Sequence, residues 1–543
     1  MRVKACIWFT VLFVLITFYT AGPLVFGQEK KVFDHPNDGT ITTTSEEAYK
    51  LYTEGRVHHL NGEYRTSIAS MEKAIALDPE FAMAYRSMAT AYSNLGYQAE
   101  WKKFIQKALD MTTKVSEIER YIIEADFYDQ DEATYDKAIE AYKKINALDP
   151  TNSWQMGLAI IYASLDQWDK AIEHYEVLRK AGKGDMLNYM NLAEAYNATG
   201  AFDKAREALE ECREKYGESD WVSSSLADIH FYQGRLDLAL EEIEKAHSLK
   251  PENYNYVLYK ANILRFKGDW TEAENLSQQA STMKEPRAQY RANRNLAFLY
   301  VEQGRYTKAE EQMRQAIDWA DKFKESRSKA WGQAALGFML SYQGRHEQAL
   351  SALEESLKTA TDSNLSYYQR YNHYWRGHIL ANMKALDKAQ AAAAEFKTQA
   401  EKSKDKSEMA NYYDLMAKIE LEKGNYEGAV EYVEKTIPMY RYSPLTYPAG
   451  VLETQALAYF RSGKMDEAED VLKKIQALTG GRYYYGNSYV RSYFMLGQIH
   501  EQKGEKAKAA ELYKKFLELW KDADSGMPEV DDAKTKLKAL MEM

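Results

Sequence analysis

Tyr196–Leu209 reads YNATGAFDKAREAL, His230–Ile243 reads HFYQGRLDLALEEI, and Leu264–Ser277 reads LRFKGDWTEAENLS. Gly200, Gly234 and Gly268 stand 34 residues apart, and five residues after each comes an alanine: Ala205, Ala239 and Ala273. A fixed period of this length marks a chain made by stacking one supersecondary unit. The pair recurs at Gly304/Ala309, Gly344/Ala349, Gly424/Ala429, Gly463/Ala468 and Gly504/Ala509. It appears with serine at Gly62/Ser67, and without glycine at Asp166/Ala171 and Lys384/Ala389. Seven residues before each turn position stands another small residue, including Gly55, Ala89, Ala159, Ala193, Ala227, Ala297, Gly337, Gly377 and Gly497.

These spacings predict pairs of antiparallel helices. The small residues let two helix backbones approach closely, and glycine supplies the left-handed conformation that ends the first helix. Proline at Pro79, Pro150 and Pro251 closes the second helix, which it cannot continue. The pattern resembles the tetratricopeptide repeat, whose unit of this length has small residues, an aromatic and a terminal proline at these offsets. About thirteen units fit between Ala48 and Trp520. The resemblance implies an all-α, α-solenoid fold wound as a right-handed superhelix. Residues 525–543, with the amphipathic stretch MPEVDDAKTKLKALMEM, provide the C-terminal capping helix that a solenoid end needs.

The alanine spacing widens from 34 to 36 at Ala309, then to 40, 40, 40, 39 and 41 as far as Ala509. Six extra residues are about a turn and a half of helix, or a longer loop. The solenoid is therefore expected in two parts, 46–286 and 287–524, with a change of curvature near Pro286. Residues 28–45 lack a helical period and are expected to be a flexible lead-in.

Residues 1–27 differ in kind. Arg2 and Lys4 precede an almost uncharged run to Gly27, and QEKK follows. This is the form of a secretory signal peptide cut before Gln28; the run is also long enough to stay as an anchor across a bilayer. Either way the body is expected outside the cytoplasm, periplasmic or secreted, or held at the inner membrane by residues 5–27. Membrane contact is expected only through this segment, if it is retained. Cys6 and Cys212 are the only cysteines, so packing must supply stability, with Cys212 as a core residue.

The net charge of −10, without a basic block, argues against nucleic-acid binding. No phosphate loop, His-Glu-x-x-His, Gly-x-Ser-x-Gly or Cys-x-x-Cys motif occurs. Neither enzyme activity nor a cofactor or metal site is expected. The family resemblance implies partners, other proteins or peptides, on the concave helix-A face. Counted from the small-residue anchors, that face holds Arg265, Arg291, Arg294, Phe298, Trp331, Phe338, Tyr342, Tyr371, Tyr374 and His378. The expected function is a non-catalytic scaffold or adaptor of the cell envelope. The alternative is a ligand-binding module for a small molecule, glycan or peptide in the aromatic groove of units eight to ten. Packing between neighbouring helices is the other reading of those aromatics. In SNLSYYQRYNHYWRGH, Ser363–His378, Arg376 and His373 fall where apolar residues are expected. Either the register shifts there or the unit has given up core packing for a surface.

Overall fold

The computed structural model describes residues 30–35, 39–148, 150–403, 405–440 and 447–542. The leader and its cut before Gln28 lie outside the described residues. Among the described residues thirteen helix pairs follow one another, from Glu46–Leu60 with Tyr64–Leu77 to Gly486–Gln502 with Lys506–Leu519. The capping helix Pro528–Met541 packs on the last of them. Each pair is one unit, with a first helix A and a second helix B.

The turns explain the period. In the three quoted stretches the glycine takes a positive φ, and the residue after it donates to the carbonyl five positions back. These bonds are Ala201 N to Tyr196 O at 2.8 Å, Arg235 N to His230 O at 2.8 Å, and Asp269 N to Leu264 O at 3.0 Å. They satisfy carbonyls that the end of helix A would otherwise leave open. The turns without glycine keep the geometry: Asp166 and Lys384 both have φ +57°.

The wider spacing is taken up in two ways. In units 8 to 10, helices A and B lengthen: Pro286–Glu302, Tyr306–Lys322, Ser326–Tyr342, His346–Asp362 and Ser366–Asn382 each have 17 residues. In unit 12 the helices shorten again to 13 residues, Ala449–Arg461 and Met465–Ala477. The surplus forms a connecting segment, Leu478–Tyr485, before helix A of unit 13.

The lead-in corrects the expectation of a flexible segment. Lys31–His35 and Gly39–Thr43 form an antiparallel hairpin with Phe33 opposite Ile41. Ile41 is buried, and Phe33 stacks on Tyr49 at 4.4 Å. Thr42 donates from N and Oγ1 to Glu119 at 2.8 and 2.6 Å, and Thr43 Oγ1 donates to Asp78 at 2.6 Å. The hairpin thus ties unit 1 to unit 3 at the end of the stack. Its two five-residue strands are too short to show a period, and their partners lie 35 to 77 residues away.

Units far apart in sequence also meet. A Cβ on Gly96, in the turn of unit 2, would collide with the Arg287 guanidinium at the start of unit 8. Trp520 Nε1 donates to Glu302 O at 3.0 Å, and Asp524 N to Gly304 O at 3.1 Å. The coil therefore closes on itself, turn against turn.

Candidate functional site

The helix-A residues that face inward in units 7 to 10 are met by the chain's own Leu478–Tyr485 segment. Arg265 is buried; its Nε pairs with Glu302 at 2.5 Å, and its Nη2 donates to the Tyr483 carbonyl at 3.1 Å. Arg482 brings a second guanidinium to Glu302 at 3.8 Å and donates to the Phe266 carbonyl. Two cations offset the charge of one fully buried carboxylate, the pairing under which buried charge is tolerated, while Glu302 Oε1, Arg265 Nη1 and Arg482 Nε keep no hydrogen-bond partner among the described residues. Gly486 must be small there, because a Cβ would stand 2.6 Å from that of Glu302.

Tyrosines complete the fill. Tyr483 donates to Asn295 Oδ1 at 2.7 Å. Its ring lies 5.8 Å from Phe298, and Tyr484 lies 5.0 Å from Phe298 and 5.8 Å from Trp331. Tyr485 meets Phe338 edge-on at 5.5 Å, and Phe338 meets Trp375 at 4.5 Å. The space left among Phe298, Trp331, Phe338, Tyr371, Trp375, Tyr484 and Tyr485 is about 40 Å³, a few waters' worth and too small for a glycan.

The expected site residues are therefore brought together, but largely as an interior. Arg265, Phe298 and Tyr374 are buried and cannot meet a partner in this arrangement. Tyr374 donates to Asp414 Oδ2 at 2.5 Å, and His378 Nε2 lies 3.1 Å from the same oxygen. Arg294 is stacked over Trp331 at 5.4 Å. Trp331, Phe338, Tyr342, Tyr371 and His378 are half-buried. Arg291 alone of the ten is exposed, its Nη1 donating to Asn255 Oδ1 at 2.6 Å.

The register in unit 10 is unshifted. Its burial follows that of unit 9 forty residues earlier, with Gly337 and Gly377 both buried. Burial differs at a few positions, and the largest change is where Leu336 is buried and Arg376 is exposed. The unit has given up one apolar contact for a surface.

The same inward register in units 4 to 6 is open. Six residues before Ala193 and Ala227 stand Leu187 and Trp221, equivalent to Trp331 and Tyr371, and they are 38% and 42% exposed. Ile160, one residue after Ala159, is 44% exposed. Between helix A of unit 5, Met186–Ala198, and helix A of unit 6, Asp220–Tyr232, lies a cavity of about 150 Å³. Met190, Asn191, Glu194, Asn197, Ser225 and Asp228 line it. Tyr259 donates to Asp228 Oδ1 at 2.5 Å. Burial pushes the Asp228 carboxyl up to about 7; Glu194 adds repulsion, and the Tyr259 bond opposes both. Sequence reasoning passed over Leu187, Trp221, Asn197 and Asp228 because their helices are not densely aromatic, although the anchor count places them as directly as it places Trp331.

Among the described residues, no group of three or more His, Cys, Asp or Glu is placed to hold a metal ion, and no helix is long and apolar enough to cross a membrane. Cys212 is buried, and burial pushes its thiol up to about 11.

Family models described as tetratricopeptide repeat match residues 51–81, 84–114, 128–186, 188–219, 225–282, 289–362 and 448–522. No curated protein matches the sequence. Among solved structures, a chain in the crystal structure of the APC/C hetero-tetramer Cut9-Hcn1 is similar over 91% of this chain and 96% of its own. The identity is 12% and the TM-score 0.35.

Proposed function

The chain belongs to the tetratricopeptide repeat family, and from that premise we propose that it is a protein-interaction scaffold whose partner docks on the inward face of units 4 to 6. The observation that carries this is the exposure of Ile160, Leu187 and Trp221 on the register that the chain itself covers in units 7 to 10. Tryptophan is among the residues that most often dominate recognition, so Trp221 is the anchor, with Ile160 and Leu187 as apolar surface around it. The aromatic surface of units 8 to 10 then serves assembly of the coil, with Tyr483–Tyr485 as its built-in occupant.

The body acts outside the cytoplasm, at the cell envelope, on this reading; its support is the basic start and apolar run of residues 1–27. The same chain acts by holding partners rather than by catalysis.

Purification of the native protein, a Leu187→Asp/Trp221→Asp variant and a Tyr484→Asp control from the cells that make it tests the docking face. Partners are expected to co-purify with the native protein and the Tyr484 control and to be lost from the double variant. Retention of every partner by the double variant would overturn the proposal. Fractionation and N-terminal sequencing test the location, with an exported body starting at Gln28 or still carrying residues 5–27 expected. A cytoplasmic body would refute it.

A further inference from the structure

We propose that the cavity between units 5 and 6 receives a cationic side chain, lysine or arginine, from the segment that docks on this face. The inference rests on the reading of units 4 to 6 as the docking groove and adds the chemistry of the partner.

Two carboxylates, Glu194 and Asp228, reach the cavity from adjacent helices, and no lysine or arginine is among the described residues that line it. Carboxylates alone would be a solvated cluster. The second observation is Asn197, which is 2% exposed and lines the same cavity. Its Oδ1 has no hydrogen-bond partner among the described residues. A buried acceptor left open costs free energy in the unliganded protein, so an incoming donor regains what the empty site lacks.

All three groups are acceptors that a cationic donor suits. Asn197 Oδ1 and the two carboxylates accept hydrogen bonds, and the carboxylates also favour positive charge. An ammonium offers three donors and a guanidinium five, and neither has an acceptor. A cavity of about 150 Å³ is well above the roughly 10–15 Å³ that one water needs, so it admits a head group. Met190 lines the cavity and suits the methylene stem of a long cationic side chain, while Leu187 and Trp221, exposed on the same inward register of the two helices, suit apolar neighbours in the docking segment. The net charge of −10 adds long-range attraction for a basic segment.

Selection of random short peptides on the purified full-length protein tests this, followed by affinity measurements on Glu194→Gln, Asp228→Asn and Trp221→Ala. Each selected peptide is measured again with its lysine acetylated, or its arginine replaced by citrulline. Thermal melts confirm that each variant folds. Peptides with a fixed Lys or Arg beside apolar residues are expected, losing about tenfold or more in affinity on neutralisation of the peptide or of either carboxylate. Peptides that need Trp221 but show no cation preference would overturn the cavity's role while leaving the docking face intact. An absence of any Trp221-dependent peptide would overturn both.

Discussion

Glu302 and Asp228 are both carboxylates inside a helical coil, and their neighbours give them opposite roles. Glu302 has Arg265 and Arg482 beside it and works as a fastener between unit 7, unit 8 and the Leu478–Tyr485 segment. Among the described residues, those that act on Asp228 are the Tyr259 hydroxyl of unit 7 and a second carboxylate, Glu194, of unit 5, with Tyr232 on its own helix. Its folded pKa is raised above the unfolded value, so the folded state binds more protons between about pH 4 and 7, and stability falls as pH rises through that window. Asp228→Asn removes the cost. It should raise stability at pH 8 by on the order of 2 kcal/mol, and by less at pH 5, as thermal melts at the two pH values will show. A variant that stabilises the free protein while weakening partner binding is what a binding residue should give. Asp228 was within reach of the anchor count in the sequence. The role of Glu302 was not, because Arg482 is 180 residues away and no local pattern links them.

The helix pair is the scale at which sequence spoke most clearly. Anchor spacing, glycine turns and closing prolines are all local, so the units could be counted and their inward faces placed. What spacing could not decide was where six extra residues go. Longer helices in units 8 to 10 and a connecting segment in unit 12 have the same count, and only packing against other units chooses between them. The turn at Lys384 carries a cost that glycine avoids, since a left-handed β-carbon is unfavourable by roughly 1–2 kcal/mol. Lys384→Gly should therefore gain about 0.5–1 kcal/mol after the entropy of glycine is counted, read as a shift in denaturant midpoint. The segment Leu478–Tyr485 gives a second outcome. Replacing Tyr483, Tyr484 and Tyr485 by serine should open Trp331 and Trp375 to acrylamide quenching, with the helix content unchanged by circular dichroism.

At the scale of the whole molecule, the coil is held by contacts between residues 188 to 248 positions apart, such as Tyr483 with Asn295 and Thr479 with Phe231. These contacts turn an open stack into a closed one and divide its inward face into a filled part and an open part. Gly96 and Gly62 separate the turn from the closure. Both have positive φ, but only at Gly96 would a Cβ meet another unit. Gly62→Ala should cost about 0.5–1 kcal/mol for the turn alone, once the entropy of glycine is counted as at Lys384. Gly96→Ala should cost about 1–3 kcal/mol more, and Arg287→Ala should restore that excess. The central claim is that partners use the open part. Its most direct measurement places a photoreactive phenylalanine at position 221 or 331 of the full-length protein in the cells that make it, followed by irradiation and mass spectrometry. Cross-links to other proteins from position 221, with only internal links to the Leu478–Tyr485 segment from position 331, are the predicted result. Cross-links to other proteins from position 331 with none from position 221 would contradict it.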